Sequence, residues 1–317
     1  MTYFETPGGP AWAPPPFPPP PVPPQRPRRA GWIVTVVLLS VVLLALAVTS
    51  AWFYLQLQNA KATIRDNQRE IDEQRELIER KDSFGASMEA LLGETTTFTG
   101  LPLGNLVPWD DYQLLTERAW DQRWNADALD QVIADTDAAR ADLVARRDAA
   151  AAQAATEAAG GAYDRVIGQL GSGYVSVQID NADALCAKDV LACVMSDDPL
   201  VVHVDAADDA REYTTDWIRT GIAYHEFAHV LQYANPDETD TAVTAFGGDY
   251  ETMADCFALT FLDGWTLDHR VWVSDYTYWD VSVGYGYVCN DSQKQAIRDW
   301  RAAIGVKPQQ LGVGVTG

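Results

Sequence analysis

The run His225-Glu226-Phe227-Ala228-His229 gathers the residue types that activate water on a metal ion. On a helix, at about 100° per residue, side chains four positions apart leave the same face one turn apart. Two imidazoles so placed can share one zinc ion, and the Glu between them is placed to act on water bound there. The chain has only four His, and two of them stand in this arrangement. The pattern H-E-x-x-H arises by accident in roughly one chain in a hundred of this length. Its surroundings must therefore carry the case.

They read as a helix. Thr214-Thr215-Asp216 offers N-caps, and no helix-ending signal follows until Asn235-Pro236. Ala223, Phe227, Val230 and Ala234 recur at helical spacing and mark a buried stripe. His225 and His229 fall beside that stripe with Ile218, Ile222 and Gln232, where they could line the floor of a cleft.

A catalytic zinc usually takes three protein ligands and leaves a fourth position to water. Downstream, Tyr250 to about Leu262 reads as a second helix, with Glu251 and Asp255 four apart on one face. Here the sequence resembles the gluzincin metallopeptidases, in which an HExxH helix is followed some twenty residues on by a helix bearing a Glu ligand and, one turn later, an Asp. Glu251 stands 22 positions after His229. The resemblance covers residues 214 to 262. It implies His225, His229 and Glu251 as zinc ligands, with Asp255 holding the His225 imidazole in its metal-binding tautomer. Asp249 is the reserve third ligand. The other reading of Glu251 and Asp255 is a solvated helix face on an acidic chain.

The chemistry that follows is peptide hydrolysis. Zinc acidifies its bound water and polarises the scissile carbonyl, while Glu226 serves as general base. A closed structural zinc site would have no use for that Glu. Related enzymes add a Tyr or His for the oxyanion. His269, Tyr276, Tyr278, Tyr285 and Tyr287 are the candidates, with His269 taken as the catalytic one. The competing readings are a packed histidine between Trp265 and Trp272 and strand tyrosines at alternating positions. His203, inside Leu200-Val201-Val202-His203-Val204, reads as a strand residue.

Other segments must deliver this site somewhere. Trp32 to Leu55 carries no charge and is long enough to cross a bilayer, with Trp32, Trp52 and Tyr54 at its ends. Arg26, Arg28 and Arg29 precede it against Glu5 alone, so the positive-inside rule puts the N-terminus in the cytoplasm and the rest outside. A cleaved signal peptide ending near Ala45-Leu46-Ala47 is the rival, but the apolar run continues past that cut. All four Cys follow the span, as expected of two disulfides in an exported domain. Of three pairings, proximity favours Cys186 with Cys193 and Cys256 with Cys289.

The organisation expected is a Pro-rich cytoplasmic tail over 1–30, a single transmembrane helix over 31–55, a helical stalk over 56–82, a linker over 83–108 and a zincin-like domain over 109–317. The fold class is α+β, mostly helical, with a small β-sheet. Twelve of the seventeen Pro lie in the tail, which could dock a proline-recognising partner. Leu57, Ile64, Ile71 and Ile78 repeat every seven residues, half of a coiled-coil seam through which the stalk could self-associate. Residues 109–158 read as one or two helices, and 173–179 and 200–204 as strands. Net charge is −22, and the tail is positive. That field disfavours nucleic acid and favours a neutral or cationic peptide or envelope-protein substrate. Two alternatives to the peptidase remain: an inactive zincin-like binding or assembly module, and a stalked structural protein.

Overall fold

The structure is a computed structural model that describes residues 30–286 and 289–312. The Pro-rich tail and Tyr287 lie outside the described residues. The chain divides into two units, Met1–Ile71 and Asp72–Gly317.

The described part of the first unit belongs to one helix, α1 (Ala30–Thr95). Its most apolar stretch has a mean hydropathy of 2.7 and none of it is buried. It is long and apolar enough to cross a membrane, a property a signal sequence shares. Two polar side chains there are tied to their own helix: Ser40 Oγ donates to the Val36 carbonyl and Thr49 Oγ1 to that of Ala45. Farther on, Leu57, Ile64 and Ile71 are all exposed.

The second unit begins inside the same helix. The linker expected over 83–108 is instead helical as far as Thr95. Met88 and Leu91 enter the core with Phe84 packed against it, a helical spacing that the neighbouring Gly and Thr residues disguised. Short 3-10 turns at Thr96–Phe98 and Gly104–Leu106 follow. Next come α2 (Trp109–Asp121), α3 (Ala126–Glu157) and α4 (Ala162–Gly171). The sheet region holds β1 (Ser176–Asp180), α5 (Ala182–Leu185), β2 (Ala192–Met195), β3 (Asp198–Asp205) and α6 (Ala206–Asp209). Then follow α7 (Asp216–Ala234), α8 (Pro236–Ala242) and α9 (Tyr250–Phe261). A hairpin of β4 (Asp268–Trp272) and β5 (Tyr278–Ser282) leads to α10 (Asp291–Ala303).

β3 is the middle strand, parallel to β1 and antiparallel to β2, so β2 forms an edge. α7 lies at the centre of the unit, packed on β2 and β3 and against α4 and α9. Its start is set by Thr215, whose hydroxyl accepts from the Ile218 N–H. Its end is set by Asn235, and Pro236 opens α8 at a position where a missing N–H is harmless. Asn235 is a buried junction. Its amide donates to the Pro102 and Leu231 carbonyls, and its oxygen accepts from the Gly104 and Gly305 N–H groups. The side chain is fully satisfied, and it ties the end of α7 to two loops.

Candidate metal centre

The ligand atoms converge from two helices. α7 projects His225 and His229 from one face, and α9 meets it with Glu251. The two Nε2 atoms are 3.2 Å apart, and each is 3.2 Å from Glu251 Oε2. This His–His–Glu group could hold a metal ion. Gly247 and Gly248, with φ of +72° and +85°, turn the chain into α9 through left-handed conformations that suit glycine. Asp249, the reserve ligand, does other work. Its carboxylate caps α9 by accepting from the Glu251 and Thr252 N–H groups, which draws it away from the trio.

The outer nitrogens are held as firmly. His225 Nδ1 donates to Asp255 Oδ1 at 2.9 Å, and His229 Nδ1 faces Gln232 Oε1 at 2.8 Å. Asp255 is only 1 % exposed, and its Oδ2 accepts from the Tyr285 N–H at 2.8 Å. The loop crosses that carboxylate at Gly284, where φ is +128° and a Cβ would stand 2.9 Å from both oxygens. Only glycine lets the backbone pass there.

Charge follows from this packing. Burial works against a charged His225, but the Asp255 and Glu251 carboxylates outweigh it and push the imidazole up to about 10. Hydrogen bonds from His225 and His229 hold the Glu251 carboxyl well below the ordinary range. The group as a whole is built around positive charge. Glu226 is buried, and burial raises its carboxyl above the ordinary range although both imidazoles pull the other way. Its Oε2 has no hydrogen-bond partner among the described residues.

His225, Glu226, His229, Glu251 and Asp255 line an open cleft of about 650 Å3. One wall is the edge strand β2 with the loop before it, closed by the Cys186–Cys193 disulfide. The lining also has an apolar part from Ile222, Trp265, Leu267 and Val283. Trp265 lies over Gly221 so closely that a Cβ there would fall 1.9 Å from its ring. The second expected disulfide, Cys256–Cys289, joins α9 to the segment before α10.

The oxyanion candidates separate. His269 is not among the cleft-lining side chains: β4 pairs it with Val281 and packs it against Trp265 at 4.4 Å between centroids, where burial lowers its pKa. Tyr276 is 92 % exposed at the hairpin tip, and Tyr278 lies in β5. Tyr285 does reach the cleft. Its ring stacks on His225 with 6.2 Å between centroids, and partial burial, then the Glu251 carboxylate, push its phenol up to about 12. His203 is a buried residue of β3 hydrogen-bonded to Asp180. Sequence reasoning did not find the roles of Gln232, Gly284 or β2. Gln232 carried the only local signal, one turn past His229.

Comparison of the chain with protein-family models, curated proteins and solved structures gives no match.

Proposed function

We propose that the second unit is a zincin-like zinc peptidase of gluzincin type. The apolar part of α1 holds it at a membrane, with the N-terminus in the cytoplasm and the cleft outside. The observation that carries this reading is Glu226: a buried carboxyl with one unpartnered oxygen, beside three convergent ligand atoms in an open cleft. Two imidazole nitrogens and a carboxylate oxygen are a donor set that suits zinc, and three rather than four protein ligands suit a catalytic site. When bound, zinc supplies a Lewis acid that acidifies water and polarises a carbonyl.

The chain's own residues do the rest. Glu226 takes a proton on its unpartnered oxygen, holds it in a buried site that favours the neutral acid, and returns it to the leaving amine. Tyr285 keeps its proton at neutral pH and donates a hydrogen bond to the oxygen that gains charge at the scissile carbonyl. The Ile222, Trp265 and Leu267 wall takes an apolar side chain and excludes water. Among the described residues the cleft lining contains Asp189, Glu226, Glu251 and Asp255 and no Lys or Arg, which favours neutral or cationic peptides or envelope proteins.

The test is zinc content and peptide-library hydrolysis of the full chain in detergent. Wild type and Glu226→Gln should each hold about one zinc, because Glu226 is not a ligand. The Gln variant should lose roughly 10²–10⁴-fold in activity. Glu251→Ala should lose the metal. Full zinc in that variant would overturn the ligand set. Bound zinc without hydrolysis of any peptide would favour a binding module instead.

A further inference from the structure

Gln232 is 5 % exposed, and its side chain spans two elements. Its Oε1 lies 2.8 Å from His229 Nδ1, and its Nε2 donates at 3.0 Å to the carbonyl of Tyr250, the residue before Glu251. A backbone carbonyl only accepts, so the amide end facing Tyr250 has to be the NH2. The end facing His229 is then the amide oxygen, which also only accepts. His229 Nδ1 must therefore carry a proton, so when the ring is neutral it is Nε2, on the side of Glu251 Oε2, that offers its lone pair to a metal. Turning the amide over would set oxygen against oxygen at Tyr250. His225 Nδ1 is held by a different acceptor, the Asp255 carboxylate.

We infer that Gln232 is the positioning residue that makes His229 a ligand and ties it to Glu251. One neutral amide selects the tautomer on α7 and grips the first turn of α9, so two of the three ligands are set by the same side chain. The inference rests on the metal-site reading above. A charged acceptor already serves His225; a neutral one orients His229 without adding another buried negative charge.

The experiment is zinc titration of the full chain in detergent, in competition with a chromogenic chelator, with circular dichroism as the folding control. Gln232→Leu removes both contacts, and Gln232→Asn is too short to span them. Each should bind zinc about 10–100-fold more weakly. Gln232→Glu keeps an acceptor for the His229 Nδ1–H but loses the donor to Tyr250, so it should bind zinc more tightly than the Leu variant and more weakly than wild type. If the Leu variant does not fold, the Asn and Glu variants carry the comparison. Wild-type affinity in the Asn variant, and in the Leu variant where it folds, overturns the role of Gln232 and leaves the His–His–Glu site standing. A Glu variant no stronger than Leu, or than Asn where Leu does not fold, overturns the tautomer assignment, because the acceptor on His229 would then contribute nothing. A wild type that binds no zinc removes the metal site itself.

Discussion

Two helices of this chain invert the usual distribution of side chains, in opposite senses. The early part of α1 exposes Leu, Val and Trp, with none of its apolar stretch buried among the described residues. α7 buries Glu226, Gln232 and the largely covered His225 and His229 at the centre of the second unit. Exposed apolar surface on that scale is rare in water, and buried polar groups are rare unless paired. The first helix is long and apolar enough to cross a membrane, and the second carries two members of a trio that could hold a metal ion. The rest of α7 obeys the rule, with Phe227, Val230 and Leu231 fully packed.

The sharpest test of that contrast is one substitution made in both helices. Leu231→Arg places an unpaired charge in a site with no exposure and should destabilise the second unit by more than about 4 kcal/mol, enough to abolish its thermal transition. Leu43→Arg alters a side chain that is 62 % exposed and should leave that transition in place. It should instead weaken membrane retention, since Arg near the middle of a span costs about 3 kcal/mol. Carbonate-resistant fractionation separates the outcomes. Unchanged retention would remove the case for a membrane-spanning segment.

The two disulfides give the next contrast. Cys256–Cys289 closes 33 residues and fastens α9, while Cys186–Cys193 closes only 7 and fastens the rim at β2. Longer loops lose more chain entropy when closed, so replacing both Cys256 and Cys289 by Ala should cost about 3–4 kcal/mol and the other pair about 2. The first replacement should also weaken zinc binding, because Cys256 adjoins Asp255. Equal zinc affinity in both double variants would mean that α9 is held by packing alone. Asn235→Ala should cost about 2–3 kcal/mol in thermal melts, since it leaves buried donors and acceptors unmatched at the end of α7.

How much of this could be read from the chain depends on distance along it. His225, His229 and Asp255 follow helical periods, and Thr215 and Pro236 bound α7 with local signals, so a single segment displays them. Cys pairing by proximity also holds. β2 has four residues and no usable period, and it becomes a cleft wall only when β3 pairs with it. Gly284 looks like any loop glycine until Asp255 lies beneath it. Gly85 and Gly93 hid the last turns of α1, because the core contacts of Met88 and Leu91 outweigh glycine's weak helix propensity. His269 was judged by its type, yet strand register decides which way it points.

Glu157, at the end of α3, supplies a control for Glu226. Both are buried carboxyls with an unpartnered Oε2, and burial raises both. Glu226 sits among groups that could hold a cation, whereas Glu157 has Gln153 on its other oxygen and lies close against Gly168. Nothing there uses the charge. Its folded-state pKa lies above the ordinary 4.5, so the folded protein holds this proton more tightly than the unfolded chain does. Stability is therefore lost as pH rises from about 4.5 through the folded-state value, and no difference remains below that window. Glu157→Gln removes the titration. It should raise stability at neutral pH by about 1 kcal/mol, the scale of one badly matched polar group, and the gain should vanish near pH 4. Thermal melts across that range would show it. A gain that persists unchanged at low pH would mean that shape rather than charge is at fault at Glu157. Buried charge would then be no guide to what sets Glu226 apart.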